Sequence, residues 1–384
     1  MEPQIHTDHH RYGQISGQIP AKTSGPICVD LWLMLIMSEL ASQTSLDTSR
    51  RLDAARAGDQ AEFGNLVEPH RNELLTHCYR LVGSLQDAED LVQETFLRAW
   101  RRLETFQERA SFRAWLYKIA TNACLDALDR NQRRVLPVAF GPASDPDEPM
   151  LPPMIEPVWL EPFPDERIAP VEVSAEARYD AKEAITLAFM VALQTLPPRQ
   201  RAVIILRDVL AWRAKEVAGL LEVTVSSVNS MLYRARATLA EHYPAHARRP
   251  VVSSQADETT RELLEQYVRA WESADVDALI SLLKEDATFP MPPLPSWYQG
   301  RASIRRFISL NILDADARGR WRLLPVRANV QPAYAWYRRD EFNKAYNAFA
   351  IQVLAVEDNL LVDITTIGIP ALFPYFGMPM ALQA

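Results

Sequence analysis

The chain has 384 residues, 48% of them hydrophobic and 23% charged, and this length predicts two or three folded domains. Its three cysteines, Cys28, Cys78 and Cys124, are widely separated, which excludes a disulfide scaffold and a thiolate zinc site and favours a reducing, cytoplasmic compartment. The net charge of −8 hides two basic stretches, since residues 98–134 and 199–249 each carry nine Lys or Arg against four Asp or Glu. Such local stretches, rather than the total charge, decide whether a chain attracts nucleic acid.

The start of the chain is rich in Gln, Ser, Thr and His, and this composition predicts a disordered leader over residues 1–50. The leader includes one apolar run, Leu31–Met37, which is too short to span a bilayer. The run also lacks a nearby basic flank and a clear cleavage site, so we expect neither a signal peptide nor a membrane partner. The sequence leaves two alternatives for the first residue of the protein, Met1 and Met37.

Residues 51–134 are predicted to form a helical domain. Within it, Asp87–Trp100 spaces its apolar residues as an amphipathic helix does, and Glu94 and Arg98 stand at the spacing of an intrahelical ion pair. The predicted buried stripe comprises Ala88, Leu91, Val92, Thr95, Phe96 and Ala99. On these residues alone, a solvated face on a bundle helix explains the charged side.

A second amphipathic helix is predicted from Phe112 onward. Its apolar stripe comprises Phe112, Trp115, Leu116, Ile119, Ala120 and Ala123. Its other side carries Arg113, Tyr117, Lys118, Thr121 and Asn122. Cations neutralise phosphates, and an aromatic ring with an amide can engage an unstacked base, so this mixture suits DNA. An ordinary solvent-exposed face is the alternative explanation.

Residues 135–179 are predicted to be a linker, because ten prolines between Pro137 and Pro170 disfavour regular structure. Its segment Val158–Phe163 is unusually apolar, and an exposed Trp and Phe between prolines are expected to dock on another surface. The alternative is a plain surface-packed loop.

Residues 180–249 are predicted to form a helix-turn-helix domain. Lys215–Leu221 is a short helix, and after a three-residue joint a longer helix runs from Val225 to Tyr243 with Thr224 as its N-cap. The buried stripe predicted for the longer helix comprises Val228, Leu232, Ala235 and Leu239. Small polar residues at its start could reach base edges in the major groove of DNA.

Residues 257–384 are predicted to form an α+β cone of three helices and a curved antiparallel sheet. The predicted helices are Glu258–Ser273, Val276–Lys284 and Ala302–Asn311. The predicted strands are Trp321–Ala328, Ala333–Tyr337, Ala348–Val356 and Leu360–Ile367, with a hairpin turn at Glu357–Asn359. Asp286 and Asp363 lack a partner at a spacing that supports catalysis, so no enzyme activity is expected. An apolar cone lined by Phe289, Trp297, Trp336 and Phe349 could hold a small ligand.

Three stretches of the first helical domain resemble region 2 of the extracytoplasmic-function (ECF) sigma factors, which direct RNA polymerase to promoters. These stretches are His77–Arg80, Asp87–Trp100 and Ser111–Asn122. The resemblance implies binding to the beta and beta-prime subunits of the polymerase core through Asp87, Asp90, Gln93, Glu94, Arg98 and Trp100. It implies capture of a flipped base and of the separated strand at the −10 promoter element through Phe106, Gln107, Ser111, Arg113, Lys118 and Asn122. Arg130, Arg133 and Arg134 are expected to extend this cationic surface toward duplex DNA.

The second helical domain resembles sigma region 4, which reads the −35 promoter element. The stretches that carry this resemblance are Leu196–Val203, Glu216–Ala218 and Val225–Arg236. It implies DNA contacts from Ser226, Ser227, Asn229, Ser230, Arg234 and Arg236. Family members often carry Lys or Arg where Asn229 and Met231 stand here, and this difference puts the usual −35 sequence in question.

The last domain resembles the SnoaL-like, nuclear-transport-factor-2-like fold. The matching stretches are Tyr267–Trp271, Asp277–Leu283, Ala287–Met291 and Trp297–Gly300. Sigma factors with such an appendage form a subgroup, and this chain resembles its SigG-like members. The implied architecture is two all-α sigma domains followed by an α+β cone that packs on the linker at Trp159, Leu160 and Phe163 and tunes activity. We expect no metal and no cofactor.

Two other classes of protein explain less of the sequence. A stand-alone helix-turn-helix repressor with a ligand-binding tail would not need the Asp87–Trp100 helix or the loop that follows it. A polyketide-cyclase-like enzyme would need a catalytic pair, which the spacing of acidic residues does not offer. The sequence therefore favours a sigma factor whose partners are the polymerase core and promoter DNA.

Overall fold

A computed structural model of the chain describes residues 48–107, 111–130, 134–154, 159–168, 184–242, 258–342 and 344–383. The predictions for residues 1–47 with Met37, and for Cys28, Arg133 and Val158, lie outside these ranges. No helix within them is long and apolar enough to cross a membrane. In the same ranges, no three His, Cys, Asp or Glu side chains gather where they could hold a metal ion.

The described residues up to Leu66 form a compact unit of their own, and the rest of the chain forms a second one. The first unit contains helix α1, residues 48–56, and most of helix α2, Gln60–Val67.

The first helical domain of the second unit consists of helices α3 (Arg71–Val82), α4 (Leu85–Arg101) and α5 (Phe112–Leu128). Helix α4 begins where the Ser84 side chain accepts a hydrogen bond from the Asp87 amide, and Ser111 caps α5 in the same way. Helix α3 ends at Gly83, whose φ of 74° is left-handed. A Cβ on Gly83 would lie 2.8 Å from the Leu160 side chain, so a linker residue can pack here only against glycine.

The second helical domain consists of helices α6 (Leu187–Gln194), α7 (Pro198–Ile204), α8 (Ala214–Leu221) and α9 (Val225–His242), with a π-helical turn over Ile205–Val209. The predicted N-cap is confirmed, because the Thr224 hydroxyl accepts from the Ser227 amide at 3.1 Å. The predicted stripe of α9 is buried throughout, at Val228, Leu232, Ala235 and Leu239. Helices α8 and α9 therefore form the expected helix-turn-helix.

Over the described residues, the C-terminal domain packs three α-helices against a seven-stranded sheet. The helices are α10 (Glu258–Ser273), α11 (Val276–Ser281) and α12 (Arg301–Asn311). The strands are β1 (Leu283–Pro290), β2 (Trp297–Gln299), β3 (Trp321–Ala328), β4 (Gln331–Arg339), β5 (Tyr346–Glu357), β6 (Leu360–Ile367) and β7 (Ala381–Leu382). The sheet order is β2-β1-β6-β5-β4-β3, and β7 pairs with β5.

Two predictions for this domain are wrong in detail. The sheet is mixed, because β1 runs parallel to β6. Residues 283–284 belong to β1 and not to the preceding helix, because the backbone there joins the sheet: the Leu361 amide donates to the Leu282 carbonyl at 2.8 Å. The predicted hairpin turn is confirmed by positive φ angles at Asp358 and Asn359.

The core of the C-terminal domain is built around stacked tryptophans. The rings of Trp321 and Trp336 stack at 4.4 Å, and Phe349 packs on both. Phe289 is buried in the same core. Trp297, which we expected to line the cone with them, instead faces the linker: its indole nitrogen donates to the Gly141 carbonyl at 2.9 Å. That hydrogen bond satisfies a buried donor, which the apolar core could not do.

Candidate nucleic-acid interface

The predicted single-strand face lies on α5 and the loop before it. Asn122, Gln107 and Ser111 are exposed there, whereas residues 108–110 of the loop are outside the described ranges. Phe106 is buried, in a cluster of rings with Phe112 and Trp115 at centroid distances of 5.6 and 5.1 Å. The loop therefore begins at a buried cluster of packed aromatic side chains.

Arg113 is held in a charged network at the start of α5. Its guanidinium lies 2.6 Å from the Glu73 carboxylate and 4.8 Å from the Tyr117 ring. Burial raises the pKa of Glu73, but hydrogen bonds from His70 and Arg113 outweigh this effect and hold that pKa below its ordinary value. Glu73 therefore stays ionised and fixes the direction of the Arg113 side chain.

Three residues that we expected on the DNA-facing surface are not available there. Tyr117 and Thr121 are buried against His77. The Tyr117 ring packs on the His77 ring at 4.9 Å, and the Thr121 hydroxyl lies 2.9 Å from His77 Nε2. Arg134 points into the protein, where it contacts Asp87 at 2.5 Å and Glu161 at 3.4 Å. The prediction for each was wrong. Helix periodicity does not reveal which element covers Tyr117 and Thr121, and the residue type alone does not reveal that Arg134 pairs with carboxylates of the protein.

The second helical domain packs directly against the face of α5. Lys118 Nζ lies 2.9 Å from the Glu222 carboxylate, and the Trp212 ring lies 5.2 Å from that of Tyr117. The buried guanidinium of Arg201 donates to the Leu81 carbonyl at the end of α3 and to Gln194. The cationic and amide groups predicted to bind DNA on α5 and its loop are Gln107, Arg113, Lys118 and Asn122. Protein carboxylates engage two of these four, Arg113 and Lys118.

A cavity of about 830 Å³ separates the two domains beside these contacts. Residues of the first helical domain on its wall include Phe106, Arg113, Trp115 and Lys118. Residues of the second include Trp212, Lys215, Glu216 and Gly219. We call this space the interdomain cavity.

Helix α4 carries the surface predicted to bind the polymerase core. Asp90 and Gln93 are exposed, Trp100 is partly exposed, and the predicted Glu94–Arg98 pair is confirmed at 2.7 Å. Arg98 also contacts Asp126 at 3.1 Å. Sequence reasoning missed Leu97, which is 51% exposed between these polar residues. Its signal was an apolar residue outside the buried stripe of the helix.

The linker segment caps the start of α4. One oxygen of Glu161 accepts hydrogen bonds from the Ser84 hydroxyl at 3.0 Å and from the Leu85 amide at 2.9 Å. Trp159, Leu160 and Phe163 are all buried, and the Phe163 ring packs on Tyr79 at 4.6 Å. A carboxylate at a helix N-terminus is favourably placed, so this contact stabilises both segments.

A turn of the C-terminal domain completes the junction. Asn329, between β3 and β4, is fully buried and has a φ of 57°. Its side chain accepts from the Phe163 amide at 2.8 Å and donates to the Tyr79 hydroxyl at 3.0 Å and to the Ile185 carbonyl at 2.6 Å. One side chain thereby joins the C-terminal domain, the linker and both helical domains.

The face of α9 predicted to read duplex DNA is open. Ser226, Ser227, Asn229, Ser230 and Arg234 are exposed, and Arg236 is held by Asp208 through two contacts of 2.7 and 2.9 Å. Sequence reasoning missed Tyr233, which is 77% exposed in the same helix. It lies three residues after Ser230 and so shares that residue's face.

Known families match three parts of the chain. Sigma-70 region 2 matches residues 66–134, sigma-70 region 4 matches 186–239, and a SnoaL-like domain matches 264–364. Over 361 residues the chain is 40% identical to ECF RNA polymerase sigma factor SigG of Mycobacterium tuberculosis, and the match covers 94% of each protein. The chain belongs to the ECF sigma factors.

Other relatives agree with this assignment. ECF sigma factor SigJ of M. tuberculosis is 30% identical over 224 residues, which cover 58% of this chain and 62% of SigJ. The crystal structure of SigJ covers 82% of this sigma factor and 98% of its own chain at 24% identity, with a TM-score of 0.53, so the two share their fold. As an ECF sigma factor, this protein binds the RNA polymerase core and promoter DNA and directs transcription initiation.

Proposed function

We propose that this sigma factor opens promoters by trapping unpaired bases on the α5 face. We also propose that the second helical domain covers that face, held there by the linker and the C-terminal domain, until the −10 strand binds. Separating DNA strands costs roughly 1.4 kcal/mol of stacking per base-pair step. Without a nucleotide-driven motor, a protein offsets this cost by binding the open strands better than the duplex. Arg113, Lys118 and Asn122 supply the charges and the amide for that task, with Phe106, Gln107 and Ser111 at the base-capturing loop.

We call the arrangement in which the second helical domain covers the α5 face the covered state. The observation that supports it most directly is the ion pair between Lys118 and Glu222. Glu222 belongs to the second helical domain, so a Lys118 ammonium group 2.9 Å from its carboxylate lies under that domain and not open to a DNA strand. The packing of Trp212 on Tyr117 places the second helical domain over the same face. We infer that the two domains separate before the −10 strand can bind.

The core-binding role belongs to the exposed side of α4. Asp90 and Glu94 would pair with basic groups of the beta-prime subunit or its neighbour, and Leu97 would add apolar contact between them. Asp87 would contribute only after release from Arg134. Gln93, Arg98 and Trp100 flank this surface.

The −35 role belongs to the open face of α9. Ser226, Ser227, Asn229 and Ser230 would read base edges, and Arg234 and Arg236 would hold phosphates. Because this face is already exposed, duplex binding does not require the two helical domains to separate.

The C-terminal domain acts as a regulator and not as an enzyme. Asp286 is exposed, and both oxygens of Asp363 accept hydrogen bonds, from Thr288 at 2.5 Å and Thr365 at 2.6 Å. Threonine hydroxyls thus hold both oxygens of Asp363, which favours a structural role for this carboxylate. We place the protein in the cytoplasm, where its polymerase partner works.

Charge reversal on α4 tests the central role. Asp90→Lys and Glu94→Lys should each weaken association with purified polymerase core by about tenfold or more and lower run-off transcription, because like charges facing each other cost several kcal/mol. Asp286→Lys, an equal change on the C-terminal domain, should leave both unchanged. Undiminished core association in both α4 variants would refute the assignment.

A further inference from the structure

We propose that the interdomain cavity binds a free nucleoside phosphate, and that this ligand holds the sigma factor in its covered state. The inference rests on the proposed function, since it needs the two helical domains to separate for transcription. It goes beyond that function by giving the covered state a small-molecule ligand.

The cavity has the size and the wall of a nucleotide site. Its volume of about 830 Å³ lies within the range of 300–1,000 Å³ typical of ligand pockets. Its wall includes the rings of Trp115 and Trp212, one from each domain. Bases stack on indole rings with little dependence on their identity, which is how proteins bind single bases without reading sequence.

Three cations lie on the same wall, Arg113 and Lys118 of the first helical domain and Lys215 of the second. Arg113 is held by Glu73, so the phosphates would meet Lys118 and Lys215. The carboxylate on this wall, Glu216, accepts a hydrogen bond from the Arg213 amide. Lys215 is exposed, and among the described residues no carboxylate forms an ion pair with it. Lys118 is paired with Glu222, but that carboxylate is itself 74% exposed, so a phosphate can compete for the ammonium group at little cost.

A ligand in this position contacts both domains at once. Its base would stack against the tryptophans of the wall, and its phosphates would meet Lys118 of one domain and Lys215 of the other. Anything that binds only the covered state stabilises that state, by an amount that grows with the ratio of ligand concentration to dissociation constant. The ligand would also occupy the surface where an unpaired promoter base must bind, so it would oppose initiation.

Gly219 allows the cavity to be filled without disturbing its wall. It lies within α8, and a Cβ built there meets no heavy atom within 4 Å. Gly219→Leu should therefore preserve the helix while its side chain takes up ligand space. Gly64 in α2 is also helical with open space beside it, so Gly64→Leu is the matched control.

Calorimetric titration of the full-length protein, without polymerase or DNA, tests the site. ATP and GTP should bind saturably, and guanosine and inorganic tripolyphosphate, which each lack one half of the ligand, should bind about tenfold more weakly or worse. Gly219→Leu should weaken nucleotide binding by about tenfold or more, and Gly64→Leu should not change it. Absence of binding by both nucleotides, or equal binding by Gly219→Leu, would overturn the proposal.

A transcription assay distinguishes failure of the ligand site from failure of the proposed sigma function on which it rests. Added excess of the binding nucleotide over the amount needed as substrate should slow formation of open complexes by the wild type more than by Gly219→Leu. If the α4 charge reversals abolish core binding while neither nucleotide binds the free protein, the sigma role stands and the ligand site fails.

Discussion

The side-chain amide of Asn329 donates a hydrogen bond of 3.0 Å to the hydroxyl of Tyr79, which lies 250 residues earlier in the chain. Burial raises the pKa of Tyr79 well above its ordinary value, so its hydroxyl stays protonated and donates onward to the Glu161 carbonyl at 2.7 Å. This chain of hydrogen bonds runs from the C-terminal domain through region 2 to the linker. It is the physical basis on which we expect the C-terminal domain to influence promoter opening.

Removal of the Asn329 side chain should loosen the covered state. Asn329→Ala loses three buried hydrogen bonds, and at about 1 kcal/mol for each the protein should lose about 2–4 kcal/mol of stability. Core-dependent transcription should rise, because the C-terminal domain holds the junction less tightly. Urea denaturation and run-off transcription measure the two effects.

Asn359→Ala is the control for that substitution. Asn359 has the same left-handed backbone, with a φ of 58°, but its side chain is exposed. It therefore reports the backbone cost alone. Equal stability loss and equal transcription in the two variants would show that the Asn329 hydrogen bonds do not stabilise the junction between the domains.

Neutralising Glu161 should weaken the junction between the linker and α4. Glu161→Gln replaces a carboxylate that accepts from Ser84 and Leu85 and lies 3.4 Å from Arg134. We expect a loss of about 1–3 kcal/mol in the free energy of unfolding. The same change at Glu166, which is exposed, should cost little, and a similar cost at both sites would contradict the capping role.

Leu97 should contribute to core binding without stabilising the fold. Leu97→Ser removes an apolar side chain that is 51% exposed, so the unfolding midpoint should stay unchanged while affinity for polymerase core falls several-fold. Leu310, which is 49% exposed on α12, offers the matched Leu310→Ser control. Surface plasmon resonance with immobilised core would measure both, and equal affinities would remove Leu97 from the interface.

His77 should make region 2 sensitive to acid. Complete burial, and then the nearby charge of Arg80, lower the pKa of His77 from 6.5 to about 3. The unfolded chain therefore binds a proton that the folded chain does not, and stability falls as the pH drops from 6.5 toward 3, by up to about 1.4 kcal/mol per pH unit.

Urea unfolding between about pH 7 and about pH 5 tests this linkage. His77→Gln, which cannot titrate, should show a shallower loss of stability than the wild type over that window. Parallel pH profiles for the two proteins would mean that His77 takes up its proton in the folded state.

The local elements of this protein could be predicted from sequence because they depend on residues close together in the chain. The spacing of apolar residues located α4 and α5, and the Glu94–Arg98 pair follows from one turn of helix. The turn at Asp358 and Asn359 follows from residue types that tolerate positive φ.

Long-range packing decided the features that sequence reasoning missed. Tyr117 lies on the polar side of α5 by periodicity, yet it is 1% exposed because Trp212 and His77 cover it. Cys78 and Cys124, widely separated in sequence, are buried side by side on α3 and α5, and burial with their contact raises the pKa of Cys124. No local pattern reports which helix will pack against which.

The measurement that tests the covered state most directly is core-dependent run-off transcription by Glu222→Lys, on a template carrying a promoter that the wild-type holoenzyme uses. The substitution sets a second cation against Lys118 and changes no residue assigned to DNA or polymerase. We predict output about twofold or more above wild type, with core affinity unchanged. Output equal to or below that of the wild type would contradict the account, since it would mean that the Lys118–Glu222 contact does not restrain promoter opening.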